Sequence, residues 1–441
     1  MTKISFKEIN KLAIPSIFAG IVEPLISLTD TAVAGQFTEN PEVALGAVGL
    51  VSAFLSSMVW IFFQTSNAIS IQVSHGVGEG RVNRLKTLVS QVLSFNLAVA
   101  LLFSVLTFIF SSFVFGLYGA ENELLEYATR YFKIRVWGFP ITLISFTIFG
   151  IFRGFQNTSW AMWISILGGI FNIGLNFLLV LGFGLDIEGI AWASLVSQVI
   201  MLVLAVYFML QKTPFRWYRI FPLHIDFWAT LKMALNLFIR SLALNLALFL
   251  AFRYATLLGD GEKTKFVSAH SLLIQLWLFT TFLLDGYANA GSALSGKLFG
   301  SKDLKKMVYL VKDLAKIMIL IGSTLGIFYF IFQQPIGRLL TKSEPVLGVF
   351  YQAFWIVCLM QPLNAIAFMF DGVFKGLGEV STLRNVFILA VIVGFIPSLL
   401  LFHYFDLGVM GIWLSFLIWM SIRAGSLLLI FKKKYVNAYS I

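Results

Sequence analysis

Six ionisable side chains stand out as candidates among stretches of the chain that are otherwise almost wholly apolar: Glu23, Asp30, Arg240, Arg253, Asp285 and Asp371. A charge held in hydrocarbon costs several kcal/mol, so each of these must be paired, hydrogen-bonded or used. Asp30 is the sharpest candidate for use. A carboxyl taken out of water readily accepts a proton, and the same group when ionised attracts a cation, so it suits H+ and leaves Na+ open. The competing reading is a hydrogen-bonded structural aspartate near the outer mouth of its helix. Glu23 precedes Asp30 by seven residues, which puts both on one helical face two turns apart, and Thr29 and Thr31 flank the aspartate.

Around this pair the sequence offers partners and breaks. Asn172 and Asn176, four apart and therefore on one face, are expected either to hydrogen-bond Asp30 across a helix interface or to act as interhelical glue. Pro15 and Pro24 each remove a backbone hydrogen bond, so the first helix is expected to bend there, unless the prolines only shape packing. In the second half, Asp285 sits in L-L-D-G-Y-A-N-A-G with Asn289, a segment whose small residues allow close helix approach. Arg240 is its natural counter-charge, and a structural ion pair between them is favoured over transport. Asp371 has Lys375 four residues on and reads first as a local helix pair, second as a gate or proton site. Aromatic residues such as Trp60 to Phe63, Trp277 and Phe279 suit a pocket for flat or cationic molecules, although most must face lipid or core.

Catalysis has no visible apparatus. The single cysteine, Cys358, precludes an intrachain disulfide or a cysteine-based metal cluster and reads as a core residue. His75, His224, His270 and His403 are scattered singly, with His75 read as a solvated loop residue. No H-E-x-x-H, Walker loop, G-x-S-x-G elbow or dinucleotide fingerprint occurs. No catalytic residue, no metal and no cofactor is therefore expected. With no ATP-binding domain, the energy for any transport must come from an ion gradient or from the substrate's own gradient.

The elements that position these residues are membrane helices. With 59% hydrophobic and 12% charged residues and a mean hydropathy of +0.88, the chain carries more apolar surface than a soluble globule could hide. Runs long enough to cross a core of roughly 30 Å lie near 12–36, 44–73, 87–117, 128–152, 160–183, 188–211, 229–258, 266–296, 307–335, 345–374, 385–402 and 407–431. The chain is also a tandem duplication. At an offset of 222 positions Asn67 meets Asn289, Gly78 meets Gly300, Pro140 meets Pro362, Gly150 meets Gly372, Gly154 meets Gly376 and Gly189 meets Gly411. Six spans per half return the chain to its starting face, giving parallel repeats about an axis along the membrane normal. The expected organisation is an all-α polytopic membrane protein, with an N-lobe at 1–211, a cytoplasmic linker at 212–227 and a C-lobe at 228–441.

Basic residues set the orientation. Lys3, Lys7, Lys11, Arg81, Arg84, Lys86, Lys212, Arg216, Arg219, Lys302, Lys305, Lys306 and Lys432 to Lys434 all fall on one side. Glu39, Glu42, Glu121, Glu123, Glu126, Asp186 and Glu188 fall on the other, with Lys263, Lys265 and Lys342 blurring the contrast. Both termini are thus expected in the cytoplasm of a bacterial-type inner membrane. The net charge of +11 is explained by this topology, so nucleic acid is not expected as a partner. A small-molecule substrate, the lipid bilayer and a monomeric state are expected. The first apolar run is too long for a signal peptide and stays as a span.

Several segments together resemble one family. P-S-I-F-A-G-I-V-E-P-L-I-S-L-T-D-T-A-V-A-G at 15–35, R-G-F-Q-N-T at 153–158, N-I-G-L-N at 172–176, L-D-G-Y-A-N-A at 284–290 and F-D-G-V-F-K-G at 370–376 are similar to the multidrug and toxic compound extrusion (MATE) family, and most of all to its DNA-damage-inducible protein F branch. The resemblance implies twelve helices in two six-helix lobes around a central cavity, and export of drugs or metabolites in exchange for H+ or Na+. Asp30 matches the family's first-helix carboxylate, linked there to cation coupling and helix bending. Two departures follow from the alignment. Asn176 stands where some relatives have Asp, and Asn245 and Asn364 stand where the sodium-coupled branch has Glu and Asp, so the resemblance favours proton coupling without excluding sodium. A lipid-linked oligosaccharide flippase of the same superfamily, a passive channel and a membrane-embedded enzyme are the competing readings.

Overall fold

The computed structural model describes residues 6–38, 40–218, 220–258 and 263–437. Lys3, Glu39 and Arg219 lie outside them, as does the side chain of Lys263. In lipid every backbone polar group must be satisfied within the segment, and the apolar runs accordingly fold as helices, with no strand among the described residues. The first half comprises α1 (Phe6–Phe37), α2 (Pro41–Gly78), α3 (Val82–Ile109), α4 (Asn122–Gly154, in two pieces), α5 (Ser159–Gly182) and α6 (Ile187–Lys212). The second comprises α7 (Phe227–Leu257), α8 (Lys263–Gly300), α9 (Leu304–Ile331), α10 (Glu344–Gly376), α11 (Val380–Tyr404) and α12 (Gly408–Val436). Eleven are long and apolar enough to cross a membrane as they stand; α4 reaches that status as a pair, Asn122–Arg135 and Gly138–Gly154, bent by 46°.

That bend has a sequence cause. Pro140 has no N–H to give the carbonyl of Val136 four residues earlier. The freed oxygen accepts instead from Phe139 N at 3.1 Å and from Ser104 Oγ on α3 at 3.1 Å. Pro15 and Pro24, by contrast, sit inside a helix that runs unbroken from Phe6 to Phe37. His75 is half-buried in the last turn of α2, and not in a loop as the sequence suggests. The apolar pattern there weakens into Ser, Gln and His before the helix actually ends.

The duplication is visible in packing. A Cβ on Gly150 would lie 2.3 Å from the carbonyl oxygen of Ser66, and one on Gly372 would lie 2.0 Å from that of Ala288. One turn on, Gly154 meets Ser70 O at 2.9 Å and Gly376 meets Ser292 O at 2.3 Å. Each contact partner is the repeat equivalent of the other, so α2 crosses α4, and α8 crosses α10, through the same small-xxx-small seam. Gly150→Ala and Gly372→Ala are each expected to destabilise the protein by about 1–3 kcal/mol through overpacking. Gly49→Ala, with no atom within 4 Å of its added Cβ, should leave thermal melting in detergent unchanged. Equal melting of all three variants would refute the seam.

The chain divides into two compact units, one of Ile14–Ala234 and one of Met1–Ala13 with Leu235–Ile441. The first is thus joined by the opening turns of α7, and the second by the opening turns of α1, with the changeover in α1 falling next to Pro15. In the N-terminal unit the core includes Phe115, Tyr131, Phe132 and Phe152, all fully buried. In the C-terminal unit Trp413, Trp419, Phe350 and Phe354 play that part, and Trp277 and Cys358 belong to the same core. Trp60 and Phe279 are exposed, at 59% and 62%. Residues 213–218 and 220–226 are strapped to α3 within the N-terminal unit. Gln91 donates to the carbonyls of Ile220 and Pro222 and accepts from His224 N, while Ser90 accepts from Tyr218 N.

Candidate functional site: a buried carboxylate ring

Asp30 on α1 is 1% exposed, and its two oxygens are taken by donors from two other helices. Asn176 Nδ2 on α5 donates to Oδ1 at 2.8 Å, and Ser194 Oγ on α6 donates to Oδ2 at 2.7 Å. Ser194 Oγ accepts from Asn172 Nδ2 at 3.0 Å, and Asn172 Oδ1 accepts from Asn176 Nδ2 at 3.2 Å. Four side chains therefore close a ring that ties α1 to α5 and α6. Asn172 and Asn176 are completely buried. The ring has one free acceptor, Asn176 Oδ1, which is buried without a partner. Among the described residues no Lys, Arg or His nitrogen lies within 4 Å of the Asp30 carboxylate.

The spacing of the asparagines pointed to them; Ser194 was missed. Its only signal is the A-S-L-V-S stretch of α6, where Ser194 and Ser197 recur three apart in an apolar helix. Thr29 and Thr31 are not partners of Asp30. Their hydroxyls donate to the carbonyls of Leu25 and Ser27 in their own helix, at 2.9 and 2.8 Å, because adjacent helical positions do not share a face.

Glu23, two turns before Asp30, lines a narrow cleft between α1, α4 and α6. Arg135 of α4 and Gln198 of α6 line the same cleft, and Ser194 is common to the cleft and the ring. Arg135 Nη1 donates to Gln198 Oε1 at 3.3 Å. This arginine was also missed, because it ends the polar piece of α4 and its neighbours Lys133 and Arg130 make the stretch read as a loop flank.

The C-terminal unit corrects two expectations. Arg240 on α7, expected beside Asp285, donates to Asp371 Oδ2 at 2.6 Å. Arg423 Nη2 on α12 donates to the same oxygen at 2.8 Å, so Asp371 is held by two guanidinium groups from other helices, and its closest charge partner is not Lys375. Arg423, absent from the sequence candidates, is 3% exposed and lies over the rings of Phe387 at 4.3 Å and Trp419 at 5.1 Å. Cation–π contact of this kind makes a buried guanidinium tolerable. Asp285 and Asn289 are half-buried on α8, and Asn289 is the repeat counterpart of Asn67, which accepts from Arg153 Nη2 at 2.9 Å. Arg253 is exposed near the end of α7 and does not join the cluster. Among the described residues no group of three His, Cys, Asp or Glu could hold a metal ion.

The two polar clusters are not copies of one another. At the repeat offset Asp30 corresponds to Phe252 and Ser194 to Phe416, while Asp371 corresponds to Phe149 and Arg423 to Met201. Each half kept the shared helical seam and placed its charges at its own positions.

Comparison with known proteins agrees with this architecture. Residues 15–178 and 238–400 match the MatE family, one stretch in each half of the duplication. DNA damage-inducible protein F of Escherichia coli (strain K12) is 24% identical over 445 residues, covering 98% of this chain and 93% of that protein. Protein DETOXIFICATION 42 of Arabidopsis thaliana is 27% identical over 304 residues, which span 69% of this chain and 58% of that longer protein. A probable multidrug resistance protein NorM of Thermotoga maritima is 21% identical over 93% of this chain and 88% of its own length. Among solved structures, a MATE protein in a bent conformation superposes with a TM-score of 0.89 at 21% identity, covering 98% of this chain and 96% of that one. The Vibrio cholerae MATE transporter VcmN in its bent form gives 0.89 at 17% identity, over 98% and 97%. With both repeats matched and a twelve-helix fold shared end to end, the chain is a multi-pass membrane protein that belongs to the MATE family.

Proposed function

We propose that the protein is a secondary active efflux antiporter, working as a monomer in a bacterial-type plasma membrane. It exports small amphipathic molecules in exchange for a cation, and H+ acting through Asp30 is the cation that fits best. One observation carries this reading: Asp30 is fully buried in a membrane helix with no cationic side chain in contact. An ionised carboxylate in that position costs several kcal/mol, and a proton or a small cation removes the cost. Asp371, equally buried, is already neutralised by Arg240 and Arg423 and has no such need.

The ring favours H+ over Na+. Both carboxylate oxygens face N–H or O–H donors, and a metal ion would have to turn both donors away before coordinating. A proton needs to displace only one. Once protonated, the carboxyl becomes a donor, so either Asn176 or Ser194 loses its acceptor and the tie between α1 and its neighbours weakens. Pro24, already lacking its helical hydrogen bond, is where α1 then bends. Exchange follows if proton and substrate prefer different states of α1.

The test is efflux from liposomes holding the purified protein. A pH gradient at equal Na+ should drive a labelled amphipathic substrate uphill, and a Na+ gradient at equal pH should not. Accumulation that follows Na+ alone would reassign the ion, and equilibration indifferent to both gradients would remove the antiporter reading.

A further inference from the structure

We infer that the cleft beside the Asp30 ring takes a small zwitterion, with its carboxylate on Arg135 and its ammonium group on Glu23. The inference rests on the transporter reading above and names the substrate class of that same N-terminal unit. Glu23 and Arg135 line one cleft with opposite charges yet form no ion pair with each other within 4 Å. Arg135 spends Nη1 on the neutral Gln198 Oε1 at 3.3 Å, while its Nε is buried with no acceptor. Glu23 is exposed to the cleft and makes no hydrogen bond. Both charges therefore keep unused bonding capacity.

Charge balance selects the ligand. With Asp30 protonated, a simple cation satisfies Glu23 but is repelled by Arg135, and a simple anion has the reverse fault. A zwitterion satisfies both through charge-assisted hydrogen bonds and brings no net charge into the membrane. The rest of the wall fits a short apolar body, since Ile26, Phe146 and Met201 supply it.

A glycine on the same helix, α4, also helps to hold Arg135 in place. A Cβ on Gly138 would lie 1.9 Å from Gln198 Oε1, so only glycine there lets Gln198 seat and hold the guanidinium. Ser194 contributes to both the ring and the cleft wall. Its reorientation when Asp30 is protonated would alter the cleft directly, which gives the coupling ion a short path to the substrate.

The test uses one ring system in three charge states: L-phenylalanine, its methyl ester and its N-acetyl derivative, competing with labelled L-phenylalanine on purified full-length protein in detergent without a gradient. Phenylalanine should bind about tenfold or more tightly than either analogue. Arg135→Gln should bring it down to the ester, and Glu23→Gln down to the N-acetyl compound. Gly138→Ala should weaken phenylalanine binding while changing no charge. Thermal melting checks that each variant is folded; if Arg135→Gln is not, the wild-type ranking and Glu23→Gln decide. No saturable phenylalanine binding, an ester that binds as well as phenylalanine, or a ranking that survives Arg135→Gln overturns the inference. Gradient-driven efflux with the wrong ranking would sink the zwitterion and keep the antiporter. The right ranking without gradient-driven efflux would do the opposite.

Discussion

Asp30→Asn is expected to lower gradient-driven efflux by roughly 5- to 150-fold, the usual span of a coupling free energy, with folding intact. The substitution keeps size and removes titration. Ser194 still finds an acceptor in the new amide oxygen. The new amide nitrogen would face Asn176 Nδ2, and Asn176 can turn over to offer Oδ1, which has no partner at present, giving up its bond to Asn172 Oδ1. One neutral hydrogen bond of the ring is then lost, at a cost of about 1 kcal/mol. The measurement is substrate efflux and proton uptake in liposomes at matched protein levels, with melting recorded in parallel. A variant that folds and still couples substrate to the pH gradient like the parent would remove Asp30 from the mechanism. Glu23→Gln, at the cleft and outside the ring, should leave proton coupling largely in place.

How much of this was legible in the sequence depended on whether the signal was local. Lipid forces helices, so the twelve spans and the duplication could be read from hydropathy and the repeated glycines alone. Asp30, Asn172 and Asn176 were legible because a charge or a same-face amide pair stands out in an apolar helix. Ser194 was not, since a serine hydroxyl is ordinary in a membrane helix and gains meaning only from what faces it. The flanking threonines show the converse: adjacency in sequence is not adjacency on a helix, and both hydroxyls turn back onto α1. Long-range pairing was the weakest point. Asp371 offered Lys375 at helical spacing and Asp285 offered Arg240 by elimination, whereas the fold brings Arg240 and Arg423, 183 positions apart in the chain, to one oxygen.

That last pairing makes Asp371 far more costly to replace than a local helix pair would be. If Asp371 merely paired with Lys375 on one helix, Asp371→Asn would cost about 0.2–0.5 kcal/mol. With Arg240 and Arg423 both on Asp371 Oδ2 and side-chain exposures of 14%, 4% and 6% across the cluster, the substitution leaves two guanidinium groups facing each other in a dry core. Removing one partner of such a buried pair costs about 3–5 kcal/mol. Asp371→Asn should therefore be the most destabilising single acidic substitution in the C-terminal unit, lowering the thermal midpoint in detergent well below that of Asp30→Asn. Arg423→Met should be milder, because it leaves Asp371 paired with Arg240 and fills the space between Phe387 and Trp419 with an apolar side chain. Combining Asp371→Asn with Arg423→Met should restore part of the loss, since only one uncompensated guanidinium then remains. If Asp371→Asn melts with the parent, or if the double variant is simply the sum of the two singles, the three side chains do not act as one buried unit.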